Sequence, residues 1–191
     1  MRFDRPSPAP PLSRASLVIG LYGAIALTGL MLSPGRGDPD VYRLPIADAR
    51  PAWMLLVSPV LGLALGLAVV ALTRVAVARY EWARTLHASF RETLGPLTGR
   101  EVFVLAAASA IGEEILFRGA LLPWWGLVPS VLAFGLLHIG PGKRFLPWTA
   151  SALVMGLLFA VLAQTTGDLG GPIVAHFVIN LLNLRFITAR G

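Results

Sequence analysis

The chain has 191 residues, of which 55% are hydrophobic and only 14% charged, with a formal net charge of +6 and a mean hydropathy of +0.71. Soluble domains carry nearer a quarter charged residues, so the composition excludes an ordinary soluble globule and fits one integral membrane domain. The absence of cysteine excludes disulfides and thiolate metal sites. The basic residues flank apolar segments instead of forming a patch, which argues for a topological role and against nucleic acid.

A bilayer core about 30 Å thick takes roughly 20 apolar residues per spanning helix. The pattern predicts an all-α, polytopic bundle of about six transmembrane helices. The first runs from about Ser16 to Leu32 behind a Pro-rich lead-in; no small-residue cleavage site follows its apolar core, so it reads as a retained helix and not a cleaved signal. The second runs from about Trp53 to Ala78, with glycines and alanines suited to close packing. Between Arg79 and Arg100, Tyr80, Trp82, Leu86, Phe90 and Leu94 recur at helical spacing among charges, which predicts a helix lying in the interface, with His87 solvated. The remaining spans are about Glu101–Leu122, Leu127–Ile139, Leu146–Gln164 and Pro172–Ile187, with Trp124 and Trp125 at a headgroup boundary and Gly-Pro pairs punctuating the ends. With both termini inside, Arg36, Arg43, Arg50 and Arg118 fall outside and the other twelve of the 16 basic residues inside, which predicts a cell membrane protein with cytoplasmic ends. The leucine-, alanine- and arginine-rich composition suggests a bacterial inner membrane.

Charge inside such a span costs about 2.5–3.5 kcal/mol per residue on insertion scales, so it marks function by default. Glu114 and Arg118 stand four apart, share a helix face and can neutralise each other. Glu113 points about 100° away and needs another partner. Phe134 and His138 are four apart on the fourth predicted span; His176, Asn180 and Asn183 form one polar stripe on the sixth. The polar faces are cheapest when they meet, in the C-terminal half of the bundle. A carboxylate or imidazole there can take a proton from water, and Asn with a second His can donate to an oxyanion. Ser109 is the nearest hydroxyl, without an evident activating base. Asn183 reads as polar glue between helices. Glu113, His138 and His176 could also ligate zinc, but the chain lacks HExxH; the expectation is no required cofactor, with zinc as the alternative. By helix rise the four polar groups fall within about 10 Å of one another in depth, in the middle to outer half of the bilayer, predicting a site that opens outward.

The segments EEILFR (Glu113–Arg118), FGLLH (Phe134–His138) and HFVIN (His176–Asn180), in this order, resemble the EExxxR, FxxxH and HxxxN motifs of the CPBP family, the type II CAAX prenyl endopeptidases and their bacterial Abi relatives. The resemblance covers roughly 101–187, a catalytic core preceded by N-terminal membrane helices and the interfacial segment in 1–100. It implies an intramembrane endopeptidase, glutamate-type or metallo-, acting on a membrane-anchored protein or peptide. By analogy, Glu113 and His138 activate water, His176 and Asn180 stabilise the oxyanion, and Glu114 and Arg118 support the first motif, with Phe134 shaping the pocket. Two other classes stay open: a non-catalytic peptide-binding protein of the same fold, such as a bacteriocin-immunity factor, and a small proton-coupled transporter.

Overall fold

Seven α-helices account for nearly all of the described residues of the computed structural model, which are 13–36, 40–45 and 50–189. Arg2, Arg5, Arg190 and the Pro-rich lead-in lie outside them. Helix α1 spans Arg14–Leu32 and opens with Ser13 Oγ accepting from the Ser16 N–H at 3.1 Å. Helix α2 spans Met54–Arg79 and α3 Glu81–Leu94. Helix α4 spans Gly99–Glu114, fixed at its start by a Thr98–Glu101 capping box. It runs on through a π-helical segment, Ile115–Leu121, and a last α-turn, Leu122–Trp125. Helix α5 is short, Leu127–Leu137. Helices α6, Leu146–Thr166, and α7, Gly170–Thr188, complete the chain.

The all-α reading holds, and no sheet forms among the described residues, where the single β pairing is an isolated bridge between Arg43 and Asp168. The number of long spans differs from six. Among the described residues four helices are long and apolar enough to cross a membrane, Arg14–Leu32, Met54–Arg79, Lys143–Thr166 (α6 with its preceding turn) and Gly170–Thr188, which makes a multi-pass membrane protein. Helix α4 has 16 residues before its π-segment, which carries it on to Trp125, whereas α5 has 11 and is short of a full crossing. Gly171-Pro172 does not precede the last helix but lies in its first turn, where a missing N–H costs nothing.

The helices gather at two ends. At one, Arg14 donates to the Leu94 and Pro96 carbonyls, and Arg91 to those of Ile187 and Ala189. There Phe90 of α3 meets Phe145 and Trp148 edge-on at 5.3 and 5.2 Å. His87 is not simply solvated. It packs 4.6 Å from the Phe186 ring, and burial, with Arg91 and Arg74 nearby, pushes its imidazole below the ordinary value. At the other end, Leu44 N–H bonds to the Gly167 carbonyl and Leu169 N–H to that of Tyr42, both at 3.0 Å. This strap buries Leu44 against Leu122, Ala160, Ala163 and Leu169. Burial beside the Asp168 carboxylate pushes the Tyr42 phenol above its usual range.

Small residues set the closest approach. A Cβ on Gly62 of α2 would fall on the Gly171 backbone of α7, so only glycine lets these helices meet there. Ser58 Oγ then accepts from Gly171 N–H at 2.8 Å and donates to Thr166 Oγ1 at 3.1 Å. Many large apolar side chains point away from the bundle, among them Leu21, Leu56, Val60 and Leu72. That is the expected outer face of a protein solvated by lipid.

Candidate active site

Glu113 and Glu114 close the α-helical part of α4, just before the π-segment. Their faces diverge as the helical period requires. Glu114 is fully buried, and its Oε1 accepts from Arg118 Nη1 at 2.8 Å. Arg118, only 1% exposed, also donates from Nη2 to the Gly156 carbonyl at 3.1 Å. Its guanidinium lies 4.2 Å from the Phe134 ring centre and 5.3 Å from that of Phe159. One buried cation thus ties α4 to α5 and α6.

The same carboxylate oxygen of Glu114 holds His176 of α7, with Nδ1 at 2.8 Å. Paired with Arg118, Glu114 is an acceptor, so His176 donates from Nδ1 and a neutral ring presents Nε2 as a lone pair. Phe159 stacks on that ring at 5.4 Å. His138 is oriented in the same way. It caps α5, and its Nδ1 lies 2.7 Å from the Phe134 carbonyl, which can only accept. Its own carbonyl accepts from Thr149 at 2.7 Å, and Phe134 and Trp148 pack on its ring at 4.5 and 5.3 Å.

Both free Nε2 atoms turn toward Glu113. Its Oε2 is 3.7 Å from His138 and 4.0 Å from His176, and has no hydrogen-bond partner. Three acceptor atoms thus face one another, beyond direct bonding but close enough for one small donor between them. The set keeps slight exposure, 10% for the Glu113 side chain and 18% for that of His138, against none for Glu114.

The donor types would suit zinc, and both imidazoles hand their second N–H to an oxygen as metal-bound histidines do. Among the described residues no group of three His, Asp or Glu side chains is arranged to hold a metal ion.

Sequence spacing therefore named residues that the fold gathers: Glu113, His138 and His176 converge, Glu114 and Arg118 support them, and Phe134 packs on both His138 and Arg118. Asn180 is bonded elsewhere; its Nδ2 donates to Ser109 Oγ at 2.9 Å, and Ser109 in turn donates to the Ala106 carbonyl. Asn183 accepts from Arg74 at 3.0 Å, a bond between α7 and α2. Sequence reasoning missed Phe159, Trp148 and, on α1, Tyr22, which lies against Gly112 next to Glu113. The hint was in GLYG: a phenol in mid-span needs a partner.

Comparison with known proteins gives the same region. Residues 98–182 match the Rce1-like type II CAAX prenyl endopeptidase family. A second similarity is to YpbD of Bacillus subtilis (strain 168), itself uncharacterised, at 34% identity over 82 residues, which covers 41% of this chain and 41% of that protein. No solved structure matches. Glu113, Glu114, Arg118, His138, His176 and Asn180 all fall inside the matched residues, and the 98–182 portion of the chain is an Rce1-like type II CAAX prenyl endopeptidase family domain.

Proposed function

We propose that the protein is an intramembrane endopeptidase that hydrolyses a peptide bond of a membrane-anchored protein or peptide. The observation that carries this reading is the convergence of Glu113 Oε2 with His138 and His176 Nε2 within 4.0 Å, inside a bundle of apolar helices. Water between them has acceptors for both protons. Glu113 takes one, His138 orients the oxygen, and that oxygen bonds to the scissile carbonyl carbon. The charge moves to the carbonyl oxygen. His176 becomes a donor at Nε2 once it holds a proton, and Glu114 behind it favours that state as the third member of a triad does. Asn180, one helical turn further along α7, supplies a second donor from its amide. The C–N bond then breaks as Glu113 passes its proton to the amine, and the new carboxylic acid gives its remaining proton to that amine or to solvent, leaving a carboxylate. No step requires a resident metal.

The test uses purified protein in liposomes and quenched-fluorescent, membrane-anchored peptides, with and without a farnesylated cysteine near the carboxy terminus. Cleavage is expected, and dialysis against a strong chelator should leave its rate within about twofold, since the general-base route needs no Lewis acid. Loss on chelation with recovery by zinc would replace the metal-free mechanism; no cleavage of any peptide would favour a binding protein or a transporter.

Six traversals fit this reading. Helices α1, α2, α4, α5, α6 and α7 each run between the two gathered ends, with α5 the one short helix among them. The described arginines and lysines at the end holding α3, Lys143 and Arg144 outnumber those at the strap end, which supports a cytoplasmic position for that end in a bacterial inner membrane. Because α5 stops at Leu137, His138 lies beside Trp148 at the Lys143 end and not deep toward the strap. We therefore revise the expected opening: the site faces the cytoplasmic side. Asp168 is buried and unsuitable for labelling, whereas Arg50 and Lys143 are exposed. In this cysteine-free chain an impermeant maleimide should label Arg50→Cys in intact cells and fail at Lys143→Cys; the opposite pattern inverts the topology.

A further inference from the structure

His138 stands just past a helix end. Helix α5 stops at Leu137, and His138 leaves the helical backbone with φ −102° and ψ 22°. Carbonyls at such an end have no partner within the helix and take one from outside. For His138 that partner is the hydroxyl of Thr149, in the first turn of α6, which donates to the His138 carbonyl at 2.7 Å from eleven residues away. This bond departs from the habit of the chain. Thr28, Thr73, Thr93, Thr165 and Thr188 each turn the hydroxyl back to the carbonyl four residues earlier in their own helix, the local bond open to any helical threonine. Thr149 instead reaches the end of another helix. Its neighbour Trp148 packs on the His138 ring at 5.3 Å, while Nδ1 is fixed at 2.7 Å from the Phe134 carbonyl. Adjacent residues of α6 thus hold both the backbone and the ring of one histidine. The Nε2 that results stands 3.7 Å from Glu113 Oε2, a spacing that a small rotation of the His138 backbone would change.

We propose that Thr149 is a positioning residue for His138: its hydroxyl pins the His138 backbone to the first turn of α6, so that Nε2 stays turned to Glu113. The inference rests on the reading of His138 as the group that orients the attacking water. The alternative is a helix cap that only ties α5 to α6. Thr149→Val keeps the shape of the side chain and removes the donor, whereas Thr149→Ser keeps the donor. Two measurements separate the alternatives: kinetics on an anchored peptide in liposomes, and the imidazole nitrogen-15 signals of His138. With three histidines in the chain, those signals are assigned by their loss in His138→Gln. For a positioning role Thr149→Val lowers kcat per folded protein about tenfold to a hundredfold, as misplacement of a reacting group does, while KM stays within about twofold. It also moves the His138 signals, and Thr149→Ser restores both readouts. Should Thr149→Val not fold, Thr149→Ala is read in the same way. Wild-type kcat in the variant lacking the donor overturns the proposal, whatever its thermal midpoint. So does a lowered kcat with unmoved His138 signals, or one that Thr149→Ser shares. A wild-type protein that cleaves no peptide, but whose His138 signals move in Thr149→Val and return in Thr149→Ser, overturns the endopeptidase reading and upholds the positioning of His138.

Discussion

Glu113→Gln is expected to lower the cleavage rate by roughly 10²- to 10⁴-fold, the usual contribution of a positioned general base, without loss of folded protein. The two halves of this expectation have the same origin. Glu113 Oε2 makes no hydrogen bond and stands 3.7 and 4.0 Å from the two imidazoles, so the native fold does not lean on its charge. The amide keeps the shape of the side chain, but it cannot take a proton from water. Initial rates in liposomes and thermal unfolding in detergent measure the two quantities. A variant with the wild-type rate removes Glu113 from the chemistry; one that fails to fold makes it structural.

The neighbouring glutamate should behave in the opposite way. Glu114 is fully buried, and one of its oxygens holds both Arg118 and His176 at 2.8 Å. Glu114→Gln leaves a guanidinium that is 1% exposed without its counter-charge, and breaking a buried pair from one side costs about 3 kcal/mol or more. The yield of folded protein and its thermal midpoint should fall accordingly. Glu114→Gln combined with Arg118→Met should recover most of the loss, because no charge is then stranded. It should not recover activity, since His176 has lost the carboxylate that orients it. Equal stability of Glu114→Gln and wild type would contradict the role assigned to the pair.

What was legible in the sequence was what the membrane makes costly. Glu113, Glu114 and Arg118 stand out against apolar neighbours, and spacing at the helical period separates the ion pair from the lone acid. His138 and His176 were legible for the same reason. What stayed hidden was set by contacts distant in sequence or by backbone geometry. The π-segment at Ile115–Leu121 is a shift of hydrogen-bond register that leaves no trace in composition. The bond from Asn180 to Ser109 competes with the oxyanion role that the HxxxN pattern suggested. Tyr22 packs on Gly112 because that position lacks a side chain, a pairing visible only when α1 and α4 are laid together. The strap across Tyr42, Arg43 and Leu44 pairs with residues beside Asp168 through backbone groups, which any side chain could accompany.

The central claim is that water activated at Glu113 hydrolyses a peptide bond. Its most direct test is cleavage of a membrane-anchored peptide by the reconstituted protein in water enriched in oxygen-18, with mass spectrometry of the new carboxy terminus. The account predicts one heavy oxygen per cleaved bond after a single turnover by the wild-type protein, and no product from Glu113→Gln. Product formed at the wild-type rate by Glu113→Gln, or product without the heavy oxygen, would contradict it.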